Sequence, residues 1–343
     1  MFAEICARNR ADLLFYDAVA ADFVDRAPVE GKLRDRMRAV VDAAAETTKH
    51  RIAGAVQARL LERERAGLVD TFVEADPELG WRLAPGTSRR IKVLGRDLDM
   101  DVDATGFRPV PGQPARGDKT VAIYGCSTVY GWSIATDETC CARLQRMLPG
   151  WRIENHGVPG YGQTHNGIQL RRDTEWDQPE YVAFGWIPDH QLRNVADIAH
   201  MRQVQYSIPV TSPVRVFPRA SIDAGGRLRF GTVEARRPEL LAVDVSEYRT
   251  AEYYQDLVAF QLFREADRIV RGYGGHFFVV PLWGPMSPLQ NRLLAEAGIP
   301  VVETGVFGEQ YQSLPDDGHA NAAAHLIYAD KIRAHLAARE AAP

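Results

Sequence analysis

Apolar residues recur every three to four positions through residues 11–19 and again through 53–61, with charged residues between them, which predicts amphipathic helices. Pro28 and Gly31 separate the two stretches. Residues 1–73 are therefore expected to form a helical N-terminal extension, a hairpin packed on the main domain or joining two copies as a homo-oligomer. From 74 to 117 the pattern breaks. Pro77, Gly80, Pro85, Gly86, Pro109, Pro111, Gly112 and Pro114 interrupt short alternating runs, so this stretch is expected to be an extended connector with one or two small strands. From 118 to 343 the rhythm is regular. Short apolar runs at 120–124, 151–155, 181–184, 276–280 and 300–302 read as strands, and amphipathic stretches at 137–148, 251–271, 290–297 and 321–339 as helices. Apolar strands alternating with helices predict an α/β domain whose parallel sheet is covered on both faces. Residues 203–245 interrupt the alternation as an insertion, with a hairpin turning at Gly225-Gly226.

Composition narrows the class. Lys plus Arg number 41 and Asp plus Glu 45, a net charge of −4 that offers no basic stripe for nucleic acid. No run approaches the roughly 18–20 apolar residues of a membrane span, and the first residues lack the apolar stretch of a secretory signal. Four cysteines (Cys6, Cys126, Cys140, Cys141) are too few for a disulfide framework and contain no C-x-x-C pair. A reduced, cytoplasmic protein with neither nucleic-acid nor membrane partners is the expectation.

In a parallel sheet, ligands bind beyond the carboxyl ends of the strands, so the segments there carry the candidate chemistry. The first strand ends in Gly125-Cys-Ser-Thr-Val-Tyr-Gly131, with a serine lifted to the sheet edge between a strand and a helix. The second ends in Asn155-His-Gly-Val-Pro-Gly-Tyr-Gly162, whose glycines let backbone approach a ligand. Before the last helix comes Asp316-Asp-Gly-His-Ala-Asn321, where an aspartate three residues ahead of a histidine can hold the ring by one nitrogen and leave the other as a base. Each segment alone is an ordinary turn. Their order and spacing together resemble the SGNH (GDSL-like) hydrolase family, as does the approach through Asp76-Pro-Glu-Leu-Gly-Trp-Arg82 and Thr105-Gly-Phe-Arg108.

The resemblance implies a flavodoxin-like three-layer α/β/α sandwich on a five-stranded parallel sheet. It implies Ser127 as nucleophile, His319 as base and Asp316, rather than its neighbour Asp317, as the group orienting it. The N–H groups of Ser127 and Gly157 would form the oxyanion hole. The chain departs from the pattern twice. Cys126 stands where an aspartate usually precedes the serine, and reads as a small buried residue. Pro188, which has no donor, falls where an asparagine usually completes the oxyanion hole. In Phe184-Gly-Trp-Ile-Pro-Asp-His-Gln-Leu-Arg-Asn194, His190, Arg193 or Asn194 is left to supply that donor, or Asp189 and His190 form a second acid–base pair.

Tyr130, Trp132, Tyr161 and Trp186 come from strand-end loops and are candidate walls of a substrate pocket, against the plainer reading of each as packing. Arg193 is a candidate for a substrate anion, against a solvated arginine. Gly157, Gly160 and Gly162 do not make the dinucleotide G-x-G-x-x-G spacing, and no histidine cluster has metal spacing, so neither metal nor cofactor is expected. The expected function is hydrolysis of a small acylated substrate (a carboxylester, O-acetyl or thioester) through an acyl-enzyme on Ser127. The alternatives are an acyltransferase using the same residues, with 203–245 as a lid excluding water, and a non-catalytic binding protein on a degenerate hydrolase fold.

Overall fold

The computed structural model describes residues 72–208, 214–236, 250–315 and 317–341; the N-terminal extension and Asp316 lie outside them. Two antiparallel hairpins come first, β1 (Val73–Asp76) with β2 (Gly80–Leu83) and β3 (Ser88–Val93) with β4 (Arg96–Asp101). The connector thus holds four short strands rather than one or two.

The central sheet follows. β5 (Thr120–Gly125) leads into the short helix α1 (Ser127–Tyr130), and α2 (Cys140–Met147) returns to β6 (Arg152–Gly157). Helix α3 (Gln163–Asp173) precedes β7 (Tyr181–Trp186), and α4 (His190–Asn194) and α5 (Ile198–Ser207) come next. The insertion contributes the hairpin β8 (Val214–Ile222) and β9 (Leu228–Arg236), turning at Gly226 with φ 75° as its Gly-Gly pair predicts. Then come α6 (Glu252–Gly272), β10 (His276–Pro281), α7 (Pro288–Glu296) and α8 (Ala322–Glu340).

The sheet is parallel, in the order β10-β7-β5-β6. Alternation along β5 sets its layers. Val121 and Ile123 join Leu144 of α2 and Tyr328 and Ile332 of α8 on one face, whereas Ala122 and Tyr124 join Leu170 of α3 and Phe263 of α6 on the other. Every residue of β7 is buried, as a central strand covered on both sides requires.

Among the described residues the sheet has four strands, and the expected fifth does not form. Residues 300–302 make only an isolated parallel bridge, Val301 to Val279. Pro300 has no N–H to continue a ladder, and Gly305, at φ 67°, turns the chain soon after. The β8–β9 hairpin lies against the α3 flank: Phe230 sits under the Arg171 guanidinium and beside Gly167, and Phe217 meets Trp81 edge-on. Among the described residues, no helix is long and apolar enough to cross a membrane.

Candidate active site

The carboxyl end of β5 brings a serine and a histidine together across 192 residues of sequence: His319 Nε2 lies 2.9 Å from Ser127 Oγ. Local packing fixes each partner. A Cβ on Gly125 would sit 2.3 Å from Val129 Cγ2, so only glycine lets the strand turn directly into α1. Gly131 ends that helix in the left-handed region, φ 82°. Buried Arg108 donates to the carbonyls of Gly131 and Ile134 and lies over the Tyr130 ring, tying the connector to the end of the serine helix. His319 is held through its carbonyl, which accepts from the Ser313 N–H at 2.9 Å, and Trp132 stands near its ring, centroids 6.4 Å apart. Cys126 is fully buried beside the serine, and Cys140 and Cys141 lie in the core.

The second strand-end segment does not present Gly157 to a ligand. The Gly157 N–H donates to Asn155 Oδ1 at 3.0 Å, and a Cβ there would be 2.2 Å from the Tyr130 nitrogen. Gly157 is thus the point where β6 packs against α1. Asn155, buried within the strand, also donates from Nδ2 to the Val129 carbonyl at 3.1 Å. Gly160 takes a left-handed conformation, φ 84°, in a turn where a Cβ would meet Ile208 Cδ1 at 2.4 Å. The N–H groups of Ser127 and Gly160 donate no hydrogen bond among the described residues.

The segment after β7 turns inward. His190 and Asn194 are wholly buried, and Arg193 nearly so. The Asn194 side-chain oxygen accepts from the N–H groups of Gln163 and Thr164, at 2.6 and 3.2 Å, capping α3. Gln163 donates from Nε2 to both the Gly185 carbonyl and His190 Nδ1, each at 2.9 Å. Arg193 donates to the Tyr161 carbonyl and pairs at 3.6 Å with Asp189, which is exposed. These side chains brace one strand-end loop against the other. His190 therefore makes no acid–base pair with Asp189, and Arg193 is occupied inside the protein.

Burial favours the neutral rings of the neighbouring histidines. It pushes His165 down to about 3 and takes His190 and His200 well below the usual histidine range, with the Arg193 charge adding to each shift. His165 Nδ1 accepts from the Gly162 N–H, which fixes its tautomer.

Three of the four aromatic candidates are core residues, not pocket walls. Tyr130 donates its hydroxyl to the Asp101 carbonyl, Tyr161 donates to the Trp81 carbonyl, and Trp186 packs in the α3/α6 layer; each is at most 2% exposed. Trp132 alone is half-buried and close to His319. Sequence reasoning missed Asn155, Gln163 and Gly160. The first two carry no sequence signal, since each stands among polar neighbours, Asn155 in Arg152-Ile-Glu-Asn-His-Gly157 and Gln163 in Gly162-Gln-Thr-His-Asn166. Among the described residues no group of three or more metal-ligating side chains gathers.

No family model and no curated protein sequence matches the chain. Solved structures do match at low identity. TesA is 14% identical, with 64% of this chain and 98% of that one covered, at a TM-score of 0.40. A GDSL-like lipase from Bacteroides thetaiotaomicron is also 14% identical, covering 66% of this chain and 92% of its own at a TM-score of 0.38. A putative lipolytic protein of the G-D-S-L family from Desulfitobacterium hafniense is 11% identical, covering 63% and 98% at a TM-score of 0.37.

Proposed function

We propose that the chain is a serine hydrolase of SGNH type that cleaves an ester through an acyl-enzyme on Ser127. The observation that carries this reading is the 2.9 Å contact between Ser127 Oγ and His319 Nε2 at the carboxyl edge of a parallel sheet. A serine hydroxyl is a weak nucleophile at neutral pH and needs a base within hydrogen-bond reach. In this reading the Ser127 hydroxyl donates to His319 Nε2, and as Oγ attacks the ester carbonyl carbon the proton passes to the ring. The ring then gives that proton to the departing alkoxide as the C–O bond breaks. Water, deprotonated by the same nitrogen, attacks the acyl-enzyme and releases the acid.

Asp316 is assigned to orient His319. The N–H groups of Ser127 and Gly160 are assigned to the oxyanion, Gly160 taking the role first expected of Gly157. Each such donor contributes about 3–4 kcal/mol of transition-state stabilisation in other acyl-transfer sites. With Pro188 in the third position, the hole works with two backbone donors, and turnover is expected to be correspondingly modest.

The test is turnover of a panel of chromogenic esters by the parent, Ser127→Ala and His319→Ala proteins. The reading expects both substitutions to lower kcat by about 10⁴-fold or more, since the two groups act as a unit. Equal turnover by parent and Ser127→Ala would refute it.

A further inference from the structure

An arginine occupies the core-facing side of a strand close to the reacting pair. Along β3, Arg89, Ile91 and Val93 share the face turned inward, and Ser88, Arg90 and Lys92 the exposed one. Across the hairpin Arg89 pairs with Met100 of β4, which is fully buried. Val93 and Met100 belong to the core layer that also holds Tyr130, with Ile91 and Trp132 packed against it. A charge at such a position gives up hydration without gaining apolar packing, a departure that chains keep where a site needs it. The hairpin's carboxylates lie on the other face, where Asp99 accepts from Arg90 and Asp101 from Ser88.

Contacts lead from this arginine to the serine without a gap. The Arg89 guanidinium lies over the Trp132 ring, 5.7 Å from its centroid, and that ring lies 6.4 Å from the ring of His319, whose Nε2 meets Ser127 Oγ at 2.9 Å. The cation is thus one aromatic ring removed from the base. The turn that presents Trp132 is held firmly. Gly131 and Ser133 on either side of it are left-handed, φ 82° and 74°, and buried Arg108 grips the carbonyls of Gly131 and Ile134. A serine in that conformation is strained and stays there because its surroundings fix it. Stacking uses the face of a guanidinium and keeps its in-plane N–H fork for hydrogen bonds, the geometry that takes both oxygens of a carboxylate.

We propose that Arg89, seated on Trp132, binds a carboxylate of the substrate, so that the preferred ester carries an acidic group a few bonds from the carbonyl under attack. The inference rests on the serine-hydrolase reading and adds the chemical class of the substrate. The chain as a whole has a net charge of −4 and draws no anion by its overall field, so the preference comes from this local cation. No bond changes there; Arg89 binds the carboxylate and leaves the chemistry to Ser127 and His319.

The experiment measures kcat/KM on the mono-p-nitrophenyl ester of adipic acid, whose second carboxyl is free, and on p-nitrophenyl hexanoate, its neutral counterpart in length. A second pair, 4-acetoxybenzoate and 4-acetoxybenzamide, carries the charge on the leaving group instead. An acidic-to-neutral ratio well above one is expected in at least one pair. Arg89→Gln is expected to cut that ratio about tenfold, the loss that follows removal of a hydrogen bond to a charged group. Arg89→Met, apolar at an inward position, is expected to do the same and keeps the test open should the glutamine variant not fold. Arg90→Gln removes the same charge from the opposite face of β3 and is expected to leave the ratio unchanged. A ratio of one or below in both pairs, a ratio unchanged by replacing Arg89, or one lowered equally by Arg90→Gln would overturn the subsite and leave the hydrolase reading standing. Calorimetric titration of monomethyl adipate into Ser127→Ala supplies a readout free of turnover. Binding that weakens when Arg89→Gln is added supports the subsite, and equal or absent binding overturns it. Absence of turnover on every ester, with the parent no better than Ser127→Ala, would refute the hydrolase reading itself.

Discussion

Asn155 holds three backbone groups at once: it accepts from the Gly157 N–H and donates to the carbonyls of Val129 and Tyr130. All three lie where β6 meets the serine helix. Asn155→Ala leaves buried polar groups unpaired at a cost of about 1–3 kcal/mol for each group left unsatisfied. A drop in melting temperature of several degrees is expected, together with slower ester turnover because α1 loses its brace; an unchanged melting curve would show that the brace is dispensable. The meeting of Ser127 with His319 was foreshadowed in the sequence by local signs, a serine in a strand-end glycine turn and a histidine ahead of a helix. Asn155 and Gln163 were not, because their principal partners lie more than 20 residues away and become neighbours only in the fold. Tyr130, Tyr161 and Trp186 were misread for a related reason. Their position at strand ends was visible, but the direction of each side chain is set by turns such as that at Gly160, and it points inward.

At the level of elements, the strand-end loops are joined by buried side chains rather than by backbone pairing. Asn194 caps α3 from the end of α4, and Gln163 at the start of α3 reaches back to the end of β7. Removing the cap with Asn194→Ala is expected to destabilise the protein by about 1–2 kcal/mol. Because the loop that carries Gly160 leads into this helix, the same change should lower kcat more than it raises KM. Thermal melts and steady-state kinetics on one preparation check both, and a pure KM effect would contradict the link. The four strands, their parallel direction and the long helices α6 and α8 followed from apolar periodicity, whereas the strand order did not. The short helix α4 did not, since its five residues, with polar His190, Arg193 and Asn194 buried, hold no amphipathic period to read. The fifth strand failed on backbone chemistry, because a proline at its start and a left-handed glycine soon after leave a single bridge.

Across the molecule, two buried sets of histidines set opposite limits on stability. His156 lies between Asp173 and Glu154, 3.1 Å from each. Burial alone would lower its pKa, but the two carboxylates more than offset this and raise it to about 9. A base held above its unfolded value of about 6.5 contributes its full stabilisation below that pH and loses it as pH rises through about 9, a change on the order of 3 kcal/mol. His165, His190 and His200 are shifted down instead. They take up protons on unfolding, so stability falls as pH drops below about 6.5, with a slope of at most about 4 kcal/mol per pH unit if all three respond. The melting temperature is therefore expected to peak between about pH 6.5 and 8 and decline on both sides. In His156→Gln the alkaline decline should flatten while the acid one remains, and loss of both limbs together would contradict the assignment.

The claim on which the functional account turns is that Ser127 is activated by His319 despite the proline at 188. It is tested most directly by intact-mass spectrometry of the folded protein after incubation with a fluorophosphonate probe, beside Ser127→Ala and His319→Ala. One adduct on the parent, none on Ser127→Ala and greatly slowed labelling of His319→Ala is the predicted result. An unlabelled parent, or an adduct that persists when Ser127 is replaced, would contradict it.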